Sequence, residues 1–331
     1  MIDRRTLLGS ALAAPFLTIS NIAQASMTPL LRRIRIATVS TPDVEASAKL
    51  YSDSFDYRTA ETGTVPAALA ASWGAPGTAG NRYTLMYSAG DPEVYIRLVE
   101  GKMPPGYRAM TSFGWNSIEI VVDDIEDVYA RMLKSPFTIL DRPLPLDGYP
   151  SIIAMQVKGP SEEVFYLTMQ AGDRSKSSLP DPKAPVGRPF IAVLAGPDME
   201  TMLDWYEAQF ALARRRVMET PIKILQNAQG LPSDHLFAMG TMGLAEHGNI
   251  IEFDEFPQQA GPRHRIEGHL PPGNAMFSFG VADLDAIHLP FITPPTSPGG
   301  LAYGEGRTAT VCGPAGELIE LLEEAGDRVH P

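Results

Sequence analysis

The sequence predicts an α+β protein in which a βαβββ unit recurs four times, two units to each of two tandem domains with curved mixed sheets. Three observations carry this: an internal duplication, helices capped by aspartate directly behind strands, and a proline-broken stretch between the halves.

The duplication is read from matched segments. Residues 36–43 (Ile-Ala-Thr-Val-Ser-Thr-Pro-Asp) align with residues 191–198 (Ile-Ala-Val-Leu-Ala-Gly-Pro-Asp), and both run into helical stretches bearing an aromatic pair, Tyr51/Phe55 and Tyr206/Phe210. All these offsets are 155 (198 − 43, 206 − 51, 210 − 55), and the Gly159-Pro160 turn recurs as Gly313-Pro314 at 154. A near-constant offset across whole halves marks a repeated unit.

Each half divides again. In residues 117–124 an apolar strand ends on Asp123-Asp124, and Ile125, Val128, Tyr129, Met132 and Leu133 follow at helical spacing. Asp124 is placed to cap that helix and Asp127 to close a capping box. Val44, Ala48 and Tyr51 repeat the spacing behind Asp43, as Met199, Met202, Leu203 and Tyr206 do behind Asp198. Strand-like runs follow at 83–87, 94–99, 152–157, 164–169, 236–239, 249–253 and 318–322. The four units fall near 33–100, 112–172, 188–257 and 273–325, with Pro290 truncating the last helix. The expected domains are therefore 33–172 and 188–325, joined by a linker at 173–187 that lacks hydrophobic periodicity.

Length and composition agree. The 331 residues are 44% hydrophobic and 20% charged, enough apolar surface for two cores. A net charge of −12 excludes nucleic acid and anionic membrane surfaces as partners. The densest basic run, Arg214-Arg215-Arg216, reads as a solvated helix terminus.

Asp3-Arg4-Arg5-Thr6-Leu7-Leu8 resembles a twin-arginine export motif. A short apolar stretch follows to Ile19, and Ala23-Gln24-Ala25 precedes Ser26 as a cleavage site. The expectation is a signal peptide over 1–25, the twin-arginine export machinery as partner, cleavage after Ala25 and a periplasmic protein with no remaining membrane span. The single cysteine, Cys312, forms no intramolecular disulfide and reads as a structural thiol.

The paired βαβββ units, the aspartate-capped helices with their aromatic pairs and the Gly313-Pro314-Ala315-Gly316-Glu317-Leu318-Ile319-Glu320-Leu321 closing strand resemble the vicinal-oxygen-chelate superfamily of glyoxalases, bleomycin-resistance proteins and dioxygenases. The resemblance implies that paired modules curl into funnels. It also implies that a divalent metal (Fe, Mn, Ni or Zn) is held by side chains of the first and last strands. The corresponding first-strand positions here are Ile36, Ser117, Ile191 and Met276, none of them good ligands. The last-strand positions are Arg97, Tyr166, Glu252 and Glu320. Metal identity and presence stay open.

Two inward carboxylates in one cleft separate into an acid and a base through burial and repulsion. Glu320 and Glu252 are accordingly the expected catalytic pair in a second-half funnel, with His247 as auxiliary acid or base. His235, His264 and His269 are the loop histidines available to a displaced metal. Arg97, Tyr166 and Trp115 are expected to bind substrate in a first-half funnel. Residues 59–82, rich in Ala and Gly, read as a lid or a surface insertion, and Trp73 and Trp205 as packing residues. No G-x-S-x-G elbow, P-loop or dinucleotide fingerprint occurs.

The functional expectation is an exported enzyme performing lyase, isomerase or related proton-transfer chemistry on a small oxygenated organic molecule, aromatic ones included. The alternative is a non-catalytic small-molecule-binding protein of the bleomycin-resistance type, with a metal-dependent dioxygenase behind both. The sequence leaves the substrate and homodimerisation open.

Overall fold

The computed structural model describes residues 28–324 except 147, 176 and 178. The expected signal peptide lies outside the described residues.

The first module comprises β1 (Ile34–Thr41), α1 (Val44–Phe55), β2 (Arg58–Thr64), α2 (Ala67–Ser72), β3 (Arg82–Tyr87) and β4 (Tyr95–Glu100). The second comprises β5 (Gly114–Val122), α3 (Ile125–Met132), β6 (Thr138–Leu146), β7 (Tyr149–Lys158) and β8 (Val164–Gln170). The third comprises β9 (Val186–Gly196), α4 (Met199–Phe210), β10 (Met218–Thr220), α5 (Lys223–Gln229), β11 (Phe237–Gly243) and β12 (Ile250–Glu255). In the fourth, β13 (Gly273–Val281), β14 (Thr308–Cys312) and β15 (Leu318–Glu323) enclose only a 3-10 turn, Leu284–Ala286, where Pro290 forbids a longer helix. Asp43, Asp124 and Asp198 each cap the following helix by accepting from its first-turn amides.

The α+β fold with two mixed sheets is as predicted, but the modules pair across the halves. One sheet runs β14-β15-β13-β1-β4-β3-β2, joining the first module to the fourth; the other runs β10-β11-β12-β9-β5-β8-β7-β6, joining the second to the third. Each seam is an antiparallel pair of first strands, β1 with β13 and β5 with β9. First strands are buried throughout, or nearly so, which makes them central strands needing a neighbour on both sides. The 173–187 connection therefore crosses one strand, β5, within one sheet, and the polypeptide passes between sheets at 101–113 and 256–272. Domains drawn at 33–172 and 188–325 do not each close a sheet.

What binds each half is side-chain contact. Tyr51 of α1 donates to Glu163 Oε1 in the β7–β8 turn at 3.0 Å, and Tyr206 of α4 donates to Glu317 Oε1 in the β14–β15 turn at 2.8 Å. Around the first contact Tyr51 and Phe55 of the first module cluster with Phe137 and Phe165 of the second; beside the other, Trp205, Tyr206, Phe210 and Phe253 cluster within the third module. Arg214 extends back along α4 to Glu200, Asp204 and Glu207, a solvated terminus as read from sequence. Cys312 is exposed at the end of β14 rather than structural.

Among the described residues no helix is long and apolar enough to cross a membrane.

Candidate functional site

Each sheet brings four equivalent positions together, two on adjacent parallel strands from each module. In the first sheet Thr38 faces Arg97 and Ser278 faces Glu320. In the second Glu119 faces Tyr166 and Val193 faces Glu252. The last-strand residues are those singled out from sequence, but their first-strand partners lie two residues beyond Ile36, Ser117, Ile191 and Met276. Alternate residues share a face, so the inward face was right and the level along the strand was not.

The pairing across halves also regroups the predicted residues. Glu320 lies with Arg97 in one sheet and Glu252 with Tyr166 in the other, so the two glutamates do not share a cleft.

The funnel of the first and fourth modules is filled by its own side chains. Glu320 is fully buried and receives hydrogen bonds from Trp73 Nε1 (2.8 Å), the Tyr303 hydroxyl (2.9 Å), Arg97 Nη2 (2.9 Å) and Ser278. Arg97, 2% exposed, also donates to Thr38 Oγ1 and to Tyr303, and its guanidinium lies over the Trp73 ring at 4.4 Å. Trp73 follows α2, so the 59–82 insertion enters the funnel and plugs it. Trp73 thus packs and hydrogen-bonds at the centre, beyond the packing role expected of it. Glu320 accepts on both oxygens, and Arg97 spends most of its N–H groups on Thr38, Tyr303 and Glu320. Glu320 and Arg97, read from sequence as catalyst and substrate anchor of separate funnels, here form one buried ion pair.

The funnel of the second and third modules is built differently. Glu119, 7% exposed, accepts from Thr168 Oγ1 at 2.5 Å. Asp254, two residues beyond Glu252 on the same face of β12, is fully buried with neither carboxylate oxygen hydrogen-bonded. The Tyr166 hydroxyl and Ser117 Oγ are buried without a hydrogen bond of good geometry, although Ser117 is near enough to lower the phenol's pKa. Glu252 alone is partly exposed, giving the group a path to solvent. Burial first, then repulsion, pushes the pKa values of Glu252 and Asp254 up, the repulsion coming from Asp254 and Glu119 at Glu252 and from Glu119 at Asp254; burial does the same to Glu119 against the Thr168 hydrogen bond. Tyr166 is raised as well, by burial and then by Asp254, Glu252 and Glu119.

In the same half of the molecule α5 is held by Lys223, which ion-pairs with Asp141 of β6 at 3.0 Å, and by Gln229, which donates to Met110 O at 3.1 Å. Beside it a cleft of about 430 Å³ is lined by Met110, Ile139, Lys158, Glu162 and Ile224 among others.

The remaining expectations fall elsewhere. Trp115 is one residue before a β-bulge that shifts the β5–β9 register, which turns it onto the opposite face. There it packs on Phe277 at 4.8 Å and donates to Leu318 O, joining the two sheets instead of lining a pocket. His247 and His264 are exposed; His247 sits in the β11–β12 turn, away from Glu252. His235 packs edge-on against Phe237, and His269 lies beside Gly77 in the plugged half. No histidine joins either set of four. Glu119 and Asp254 were missed in sequence, although each is an acid within an apolar strand.

No protein-family model and no curated protein matches the chain. Solved structures match it over most of both lengths, among them the following two. Glyoxalase I from Zea mays is 17% identical, with a TM-score of 0.60 over 88% of this chain and 92% of that one. A putative dioxygenase from Bacillus subtilis subsp. subtilis str. 168 is 12% identical, with a TM-score of 0.61 over 90% of this chain and 87% of that one. The chain has the glyoxalase fold.

The glyoxalase fold implies the divalent metal considered above, and the donors can be tested against it. In the first funnel Arg97 puts a guanidinium where a metal would need acceptors. In the second the donors are carboxylates and a phenol without imidazole, and among the described residues no three His, Cys, Asp or Glu side chains converge closely enough to hold an ion. Neither set fits a transition-metal centre.

Proposed function

We propose that the protein is a vicinal-oxygen-chelate superfamily enzyme whose working site is the funnel of the second and third modules. Its reaction is proton transfer at carbon in a small oxygenated molecule, of the lyase or isomerase kind. The observation that carries this reading is Asp254, buried and unpartnered beside Glu252 and Glu119. Leaving such a group unsatisfied is costly unless the site serves a ligand. Glu252, the partly exposed member, takes or returns the proton; burial first, then Asp254 and Glu119, raise its carboxyl pKa and so strengthen it as a base. Asp254 and the Tyr166 hydroxyl hold and orient the ligand.

A panel of 2-oxo and 2-hydroxy carbonyl compounds in deuterated water, followed by NMR, tests this. Wild type exchanges a carbon-bound proton in at least one of them and Glu252→Gln loses that exchange. Among the described residues no imidazole joins either set of four, which favours a second reading, a binding protein that sequesters its ligand. Ligand line-broadening that depends on Glu252, with no exchange or product at any time, selects that reading.

The proposed periplasmic location rests on Arg4-Arg5 and Ala23-Gln24-Ala25. Fractionation of cells producing wild type and Arg4→Lys/Arg5→Lys tests it, and an unchanged distribution overturns it.

A further inference from the structure

The two funnels place different charges on equivalent positions. Thr38, Arg97, Ser278 and Glu320 carry one cation and one anion, and the ion pair is closed at 2.9 Å. Glu119, Tyr166, Val193 and Glu252, with Asp254 beside them, carry three acids and no cation. Among the described residues Asp254 has no partner on either carboxylate oxygen, and Glu119 accepts from the neutral Thr168 hydroxyl. The cations around the cleft beside α5 are engaged elsewhere, Lys223 with Asp141 and Lys158 with Glu162, and Arg108 stands exposed on its rim.

The geometry points to an organic cation, an amine or guanidine carried by the ligand, as the missing counterpart in the second funnel. This rests on the reading of that funnel as the working site and adds the class of ligand. Arg97 shows what such a group does on this scaffold: one planar cation satisfies Glu320, Thr38 and Tyr303 together. The second funnel offers acceptors in the complementary sense. Both Asp254 oxygens are unpartnered, and the Tyr166 hydroxyl lies unpaired among the three acids. Because the carboxylates do not converge on one point, they suit a cation whose charge and N–H donors are spread over several atoms rather than a single ion.

Isothermal titration of the full-length mature protein with methylguanidinium, 1,4-diaminobutane, 1,4-butanediol and Mn2+ tests the inference. At least one of the two organic cations binds saturably at one equivalent, while the isosteric diol binds at least tenfold more weakly. Asp254→Asn and Glu252→Gln, checked for folding by thermal denaturation, each weaken the cation at least tenfold. Glu320→Gln does not. Failure of both organic cations to saturate overturns the inference. So does one-equivalent Mn2+ binding that the same two variants abolish, which would make the site a point-charge metal centre. Should a variant not fold, the wild-type contrast between diamine and diol decides. Glu252-dependent deuterium exchange on neutral carbonyl compounds, with neither cation bound, overturns the inference while leaving the proposed reaction intact.

Discussion

The Tyr51 hydroxyl and Glu163 meet at 3.0 Å although they belong to different modules, and the Tyr206–Glu317 pair repeats that contact at 2.8 Å in the other half. Sheet pairing joins first to fourth and second to third; these contacts join first to second and third to fourth. Together they tie all four modules in a closed circuit.

The contact makes stability depend on pH. Burial raises the Glu163 carboxyl to about 7, against the pull of its hydrogen bonds, and Glu317 likewise to about 7. An acid whose folded pKa lies above its unfolded value costs nothing while both states are protonated. The cost accumulates as pH rises from the ordinary carboxylate range to about 7 and is full above that. Wild type is therefore expected to melt at a lower temperature at pH 8 than at pH 5, and Glu163→Gln to reduce the difference. Tyr51→Phe removes a donor to the acid and is expected to cost about 1–3 kcal/mol by denaturant titration at pH 8.

Arg97 and Glu320 are assigned to stability. Arg97→Met leaves a fully buried carboxylate facing no cation and is expected to cost about 3–5 kcal/mol. Combining it with Glu320→Gln is expected to cost less than Arg97→Met alone, because the uncompensated charge goes with it. Chemical denaturation of the two single variants and the double variant measures that coupling.

Asp254→Asn should behave in the opposite way. Its carboxyl pKa is raised, by burial first and then by Glu119, so the ionised form burdens the fold at high pH. The substitution is expected to raise the melting temperature at pH 8 by more than at pH 5, while weakening ligand binding. A loss of stability at pH 8 would show that the folded protein already compensates this carboxylate.

Much of the fold was legible because duplication and aspartate caps are local patterns. Which modules share a sheet was not: pairing β1 with β13 and β5 with β9 is a long-range choice between equivalent apolar first strands, and no periodicity distinguishes them. The same holds for the site. Arg97, Tyr166, Glu252 and Glu320 were found because they occupy repeat-related positions. Glu119 was passed over because its strand was aligned two residues short, a slip that keeps the face and changes the residue. An acid set among Ile118, Ile120 and Val121 was the available signal. Trp115 misled because a bulge, invisible in the alternation, turned it to the other side. The Trp73 plug comes from an Ala/Gly-rich insertion with no pattern to place it.

The most direct test of the account compares Glu252→Gln with Glu320→Gln in the deuterium-exchange assay, both confirmed folded at the assay temperature. The account predicts that exchange disappears in Glu252→Gln and persists in Glu320→Gln, because the two glutamates belong to different funnels and the first is filled by Trp73 and Arg97. Exchange that survives in Glu252→Gln and vanishes in folded Glu320→Gln would contradict it, returning the chemistry to the funnel that Trp73 and Arg97 fill.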